Sequence, residues 1–171
     1  GIGGTTAGTH NNENFDKFTF HNLANLIVTN DYSELHEQFK DETRPTPYTS
    51  RIETLESINW SEVDYLTIAY GANDWGKVFE SDDPYDITTF TGALRYGITT
   101  ILEAYPQIQI IVISPFYRWF PDTGEDSDTT LRGGLSLNEY VEESEKIAKE
   151  FKYPFYNAYD TLGINKYTRG Q

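Results

Sequence analysis

Cysteine is absent from this chain of 171 residues, and so is methionine. Without cysteine there is no disulfide, no thiolate nucleophile and no cysteine-based metal site, and the compartment stays open between a reducing and an oxidising one. Basic residues are scarce, 13 Lys and Arg against 27 Asp and Glu, for a formal charge of −14. Phosphate backbones are recognised by clustered cations, so this balance excludes nucleic acid as a partner. No stretch approaches the roughly 18 to 20 apolar residues that cross a bilayer, and no charged-then-apolar leader precedes Gly1, so the chain reads as soluble with no membrane span.

What is present is enough for one globular domain over residues 1–171, with 37% hydrophobic residues to build a core. Phe15, Phe18, Asn22, Leu26 and Ile27 follow helical spacing, and Ile52, Leu55 and Ile58 do so again ahead of an apolar run, Tyr65 to Tyr70, that reads as a strand. Ile87, Phe90, Leu94, Gly97, Ile98, Ile101 and Tyr105 mark one face of a further helix that Pro106 ends. Ile108 to Ser114 is nearly all apolar and β-branched, the pattern of a strand covered on both faces. Ser136-Leu137-Asn138-Glu139 is a capping-box signal for a helix burying Tyr140, Val141, Ser144, Ile147, Ala148 and Phe151, and Pro154 to Ala158 supplies a third strand. Strands alternating with helices over short connections imply right-handed crossovers and a parallel sheet, hence an α/β fold.

In open α/β sheets ligands bind at the carboxyl edge. Gly71-Ala72-Asn73-Asp74 follows the first strand and places a side-chain amide there. The closely spaced glycines of Gly1-Ile2-Gly3-Gly4-Thr5-Thr6 would let backbone N–H groups approach a substrate oxygen, so the two segments together suggest an oxyanion hole. Gly1 to Gly4 does not have the glycine spacing of a dinucleotide fingerprint.

Gly1 to Thr6 followed by Gly71 to Trp75 resembles the second and third sequence blocks of the SGNH (GDSL-type) esterases and acylhydrolases, and the likeness runs on through Ile113-Ser114-Pro115, the Ser136 to Lys152 helix and Tyr156 to Asp160. It implies a three-layer sandwich on a flavodoxin-like parallel sheet of order 2-1-3-4-5, in which the strands found here are the third to fifth. The Gly-Asp-Ser nucleophile block and the Asp-x-x-His block of that family are absent, so the sequence reads as a fragment or processed piece. The resemblance implies Asn73 and the Gly4 backbone N–H as oxyanion donors, with Gly71 and Asp74 shaping the turn. The missing first strand would leave Tyr65 to Tyr70 at an edge, and unpaired strand edges invite partners. The missing strands are therefore expected from another polypeptide segment or from self-association.

Trp75, Tyr117 and Arg118, with Trp119 and Phe120, follow strand exits and are candidates for a substrate wall or for core. His10, His21 and His36 read as surface or packed histidines, and no helical i, i+4 pair makes a zinc motif. Asp122 to Asp128 is rich in oxygen ligands but has neither the glycine nor the glutamate of an EF-hand loop, so it reads as a solvated mobile loop. No metal and no cofactor is implied. The functional expectation is the central portion of an ester hydrolase acting on a carbohydrate or lipid ester, inactive without an external serine and histidine. The alternative is a non-catalytic glycan- or wall-binding module of a larger surface or phage protein; a subunit completing a partner's sheet is a third reading. These readings favour a bacterial secreted, cell-surface or virion setting over the cytoplasm.

Overall fold

The computed structural model describes residues 5–11, 16–41, 43 and 48–168. Along the chain come α1 (Phe20–Thr29), α2 (Ser33–Phe39), α3 (Thr49–Glu56), a 3-10 turn (Trp60–Glu62), β1 (Tyr65–Ala69), α4 (Phe90–Ala104) and β2 (Gln109–Ile113). They are followed by β3 (Trp119–Phe120), β4 (Glu125–Asp126), α5 (Leu137–Glu150), β5 (Phe155–Tyr156) and α6 (Ala158–Thr161). The expected α/β architecture is present: β1, β2 and β5 form a parallel sheet in the order β1-β2-β5, flanked by helices. None of the described helices is long and apolar enough to cross a membrane.

Local chemistry sets the ends of these elements. Asn30 stops α1 in the left-handed region at φ 52°, a conformation that asparagine tolerates. Thr89 caps α4 by accepting from the Gly92 N–H. Ser136 and Glu139 form the capping box expected at the start of α5, each bonding the other's backbone N–H.

Register places Leu66 and Ile68 beside Ile110 and Val112, with Phe155 next in line, all on one face of the sheet. That face is buried under Phe20, Ala24 and Ile27 of α1, Leu94, Ile98 and Ile101 of α4, and Tyr140, Ile147 and Ala148 of α5. Side chains alternate along a strand, so Tyr65, Thr67, Ala69, Ile111, Ile113 and Tyr156 share the opposite face. Tyr65 is 70% and Tyr156 42% exposed. The reading of Ile108 to Ser114 as covered on both faces therefore holds for one face only, because the three long helices pack on the same side. At β1, the edge away from β2 has no partner strand among the described residues.

Two further differences concern the ends of the molecule and its loops. Phe18 does not extend α1; it joins a second cluster with Tyr32, Leu35, Phe39, Tyr48 and Ile52, while Phe15 lies outside the described residues. Asp122 to Asp128, expected to be a solvated mobile loop, instead contains the return strand of a hairpin, with Trp119 paired to Asp126 and Phe120 to Glu125. Gly124, at φ 76°, makes that turn.

The α1–α4 contact depends on a missing side chain. A Cβ on Gly97 would stand 2.4 Å from the Phe20 ring. Alanine normally stabilises a helix interior relative to glycine by about 0.5–1 kcal/mol, but here the overpacking cost of about 1–3 kcal/mol outweighs it. Gly97→Ala is accordingly expected to lower the stability measured by urea unfolding, and a gain would contradict the packing described.

Candidate functional site

The chain leaves β1 through Tyr70 and turns at Gly71, whose φ of 111° is closed to other residues without strain. Asp74 then turns back into the protein and is wholly buried. Its two carboxylate oxygens each accept from the Ala7 N–H at 3.0 Å, one of them also from Gly8 N–H at 3.5 Å and the other from Gly71 N–H at 3.2 Å. Lys77 approaches the first oxygen to 3.4 Å. Burial pushes the Asp74 pKa up, and Lys77 with the Ala7 and Gly8 amides pulls against that. Burial also carries the neighbouring Tyr70 phenol up to about 12, with the Asp74 charge adding to it.

This carboxylate clamps residues 5–9 against the sheet edge. The segment is held further by Phe20 N–H and His21 N–H donating to the carbonyls of Thr6 and Ala7, and by Thr9 N–H donating to Ile87. Thr5 is thereby placed beside the β1 exit, where the Asn73 Nδ2 donates to its carbonyl at 3.0 Å. Arg118 reaches the same turn from the chain beyond β2, its Nη1 donating to Ala72 O at 2.7 Å and lying 3.5 Å from Asn73 Oδ1. A guanidinium facing the oxygen and a carbonyl facing the nitrogen orient the Asn73 amide unambiguously. A primary amide has two N–H donors. Among the described residues one of them is used by Thr5, and the side chain is exposed, so the other is available to an incoming oxygen.

The structure thus brings Gly71, Asn73, Asp74 and Arg118 together. Gly4 lies outside the described residues. Trp75 and Tyr117 are adjacent to this group in sequence, but their rings are packed inward, 6% and 4% exposed. Trp75 donates its indole N–H to Leu135 O at 2.8 Å, and Tyr117 donates its hydroxyl to Asp126 at 3.0 Å. A small cavity of about 180 Å³ opens beside Tyr117, lined also by Asp128, Tyr159 and Asp160. No group of three His, Asp or Glu among the described residues is placed to hold a metal ion.

Arg132 was not among the residues that the sequence singled out. Its guanidinium lies 4.7 Å from the centre of the Trp75 ring and 4.8 Å from that of Phe120, and Arg118 stacks on the same Phe120 ring at 5.5 Å. A visible signal was the Arg132-Gly133-Gly134 turn itself, a cation before two glycines in an acidic chain; both glycines have positive φ, 58° and 83°. Burial, together with the nearby Arg132 charge, lowers the Arg118 pKa.

No protein-family model matches this chain, and no curated protein matches it. Solved structures do. A possible lipase from Chitinophaga pinensis is similar with a TM-score of 0.50 and 19% identity over 78% of this chain and 65% of that one. A protein from Lactobacillus plantarum is similar with a TM-score of 0.52 and 22% identity over 72% of this chain and 58% of its own. In a third solved chain the TM-score is 0.56 and the identity 22%, over 71% of this chain and 56% of that one. At these identities the likeness concerns the fold, and the chain spans between 56% and 65% of the length of the three.

Asp74→Asn offers a single acceptor oxygen and an NH2 group to neighbours that all donate. Leaving a buried amide unpaired costs about 1–3 kcal/mol, and urea unfolding should show a loss of that size. His21 gives a pH-dependent test of the same clamp. It is 8% exposed with Nδ1 3.4 Å from Ala7 O, and burial lowers its pKa below 6.5 against the pull of Ala7 O and Asp16, with Lys77 adding to the lowering. A lowered histidine pKa means that the fold favours the neutral ring, so its stabilisation is complete above 6.5 and is lost as pH falls towards the folded value. The stability difference between the parent and His21→Gln should therefore shrink on acidification through this window. Comparing the two chains cancels the opposite slope contributed by Asp74; a constant difference would rule out the assignment.

Proposed function

We propose that this chain is the central portion of an SGNH-type ester hydrolase, carrying an oxyanion-binding amide while the serine nucleophile and the histidine base come from sequence outside these residues. The observation that carries this reading is the Asn73 carboxamide at the exit of β1, exposed, oriented by Thr5 O and Arg118, and keeping one N–H for a ligand. The fold likeness to a possible lipase supports the same class. The reaction is acyl transfer to water: an external serine attacks the ester carbonyl, an external histidine takes its proton, and the tetrahedral oxyanion is held by Asn73 and, as the resemblance implies, by the Gly4 N–H. Asp74 takes no proton in this scheme; it positions the turn. The open β1 edge and the uncovered sheet face are where completing strands or helices would dock, from another segment or a second copy.

The test is hydrolysis of a nitrophenyl ester by the 171-residue chain alone and by the chain joined to whatever its gene encodes on either side. Turnover is expected only from the longer protein, and Asn73→Ala in it should lower kcat by about 100- to 1,000-fold, the usual cost of one lost oxyanion donor. Hydrolysis by the short chain alone would place the nucleophile within it. An unchanged kcat in the Asn73 variant would remove the oxyanion role, and no turnover from the longer protein would favour a module that binds a glycan ester without cleaving it.

A further inference from the structure

Among the described residues, six cations are neutralised in ion pairs. Arg95 holds Glu80 and Glu150, and Lys17, Lys40, Lys77, Lys146 and Lys149 each have a carboxylate within 4 Å. Arg118 and Arg132, like Arg51, Lys152 and Lys166, are outside those pairs, and they are set apart from the other three by lying on one ring, that of Phe120. Neither is in an ion pair with a described carboxylate, although acids outnumber bases 27 to 13 in the sequence. They also share the Phe120 ring, and burial together with the Arg132 charge disfavours the charged form of Arg118, which a nearby anion would offset.

Both groups are held in place by contacts that leave them charged and unneutralised. Arg132 sits on the Trp75 and Phe120 rings, and the turn that carries it is closed by reciprocal Arg132–Leu135 backbone hydrogen bonds at 2.9 and 3.0 Å. That turn is tied to the site because the Trp75 indole donates to Leu135 O. Arg118 is fixed between the Phe120 ring and Ala72 O, one residue from Asn73. Stacked guanidiniums keep their in-plane N–H groups free, and that planar fork matches a carboxylate or phosphate.

We propose that Arg118 and Arg132 form an anion subsite beside Asn73, receiving a carboxylate or phosphate carried by the molecule whose ester occupies the oxyanion position. The term substrate here rests on the hydrolase reading above; the anion site itself does not. In an otherwise strongly acidic protein such a site also selects, since an anionic ligand is repelled elsewhere and stabilised here.

The experiment follows the Arg Nε–Hε resonances of the 171-residue chain during titration with inorganic phosphate, with glucuronate and with neutral glucose, chloride holding the ionic strength constant. Saturable shifts of the Arg118 and Arg132 signals are expected with at least one of the anions and not with glucose, and the anion that saturates distinguishes a phosphate-bearing from a carboxylate-bearing ligand. Arg132→Gln should weaken that binding by about tenfold or more, Arg132→Lys by less, and Arg51→Gln, on α3, not at all. Shifts that grow linearly without saturating, equal response to glucose, or unchanged affinity in Arg132→Gln would each overturn the subsite. None of these readouts needs turnover, so failure of the hydrolase reading leaves them interpretable. Where the longer protein does hydrolyse esters, Arg132→Gln should lower kcat/KM for a hemisuccinate ester more than for a butyrate ester, and equal losses would overturn the preference for an anion.

Discussion

The Asp74 carboxylate is the constraint on which the arrangement of the site depends. Burying an ionised carboxylate costs several kcal/mol unless donors surround it. Here they do: three backbone N–H groups from two distant segments and the Lys77 ammonium converge on it. Two of the donors, Ala7 and Gly8, come from a segment far away in the sequence, so satisfying the carboxylate helps to hold residues 5–9 across the exit of β1, together with their bonds to Phe20, His21 and Ile87. Once that crossing is made, Thr5 O stands within reach of Asn73, and the geometry of the amide follows. α5 secures the far side of the same turn, where the Tyr140 hydroxyl accepts from Gly76 N–H and donates to Lys77 O.

The distribution of exposed surface follows from which faces the helices cover. The amphipathic stripes of α1, α4 and α5 bury one face of the sheet and satisfy the core, and Tyr65, Ile111, Ile113 and Tyr156 are left on the other. An apolar face next to an unpaired strand edge is a combination that folded chains usually protect. The carboxyl ends of the strands are nevertheless well ordered by side-chain bonds, since Ser114 accepts from Tyr159 N–H and Ser127 accepts from both Arg118 N–H and the Tyr159 hydroxyl. The candidate site and the uncovered face are thus separately stabilised, and completing the sheet need not reorganise the Asn73 turn.

What could be read from the sequence depended on how local each signal was. The strands and the helices with apolar periodicity were legible because their patterns repeat within a few residues, as was the Ser136–Glu139 cap. Asn73 and Asp74 were legible as a contiguous block at a strand exit. Trp75 and Tyr117 were named for the site, but residue type does not say which way a ring turns, and both lie inward on Leu135 and Asp126. The β3–β4 hairpin was hidden by its shortness, although Pro121-Asp122-Thr123-Gly124 carries ordinary turn chemistry. Arg132 was passed over for a different reason: the glycine turn after it was visible, but its place against Trp75 comes from a contact between positions far apart in the chain.

Arg118 links these observations. By donating to Ala72 O and facing Asn73 Oδ1 it fixes the direction of the amide, and its remaining N–H groups still carry a full charge towards the same opening. A neutral donor could perform the first task at a lower desolvation cost. Retaining a charged group there, half-buried and beside a second arginine, lowers its own pKa and is unfavourable for the isolated protein. A counter-charge arriving with a ligand would offset that cost. The guanidinium that orients Asn73 is therefore the same group on which the proposed anion subsite is built.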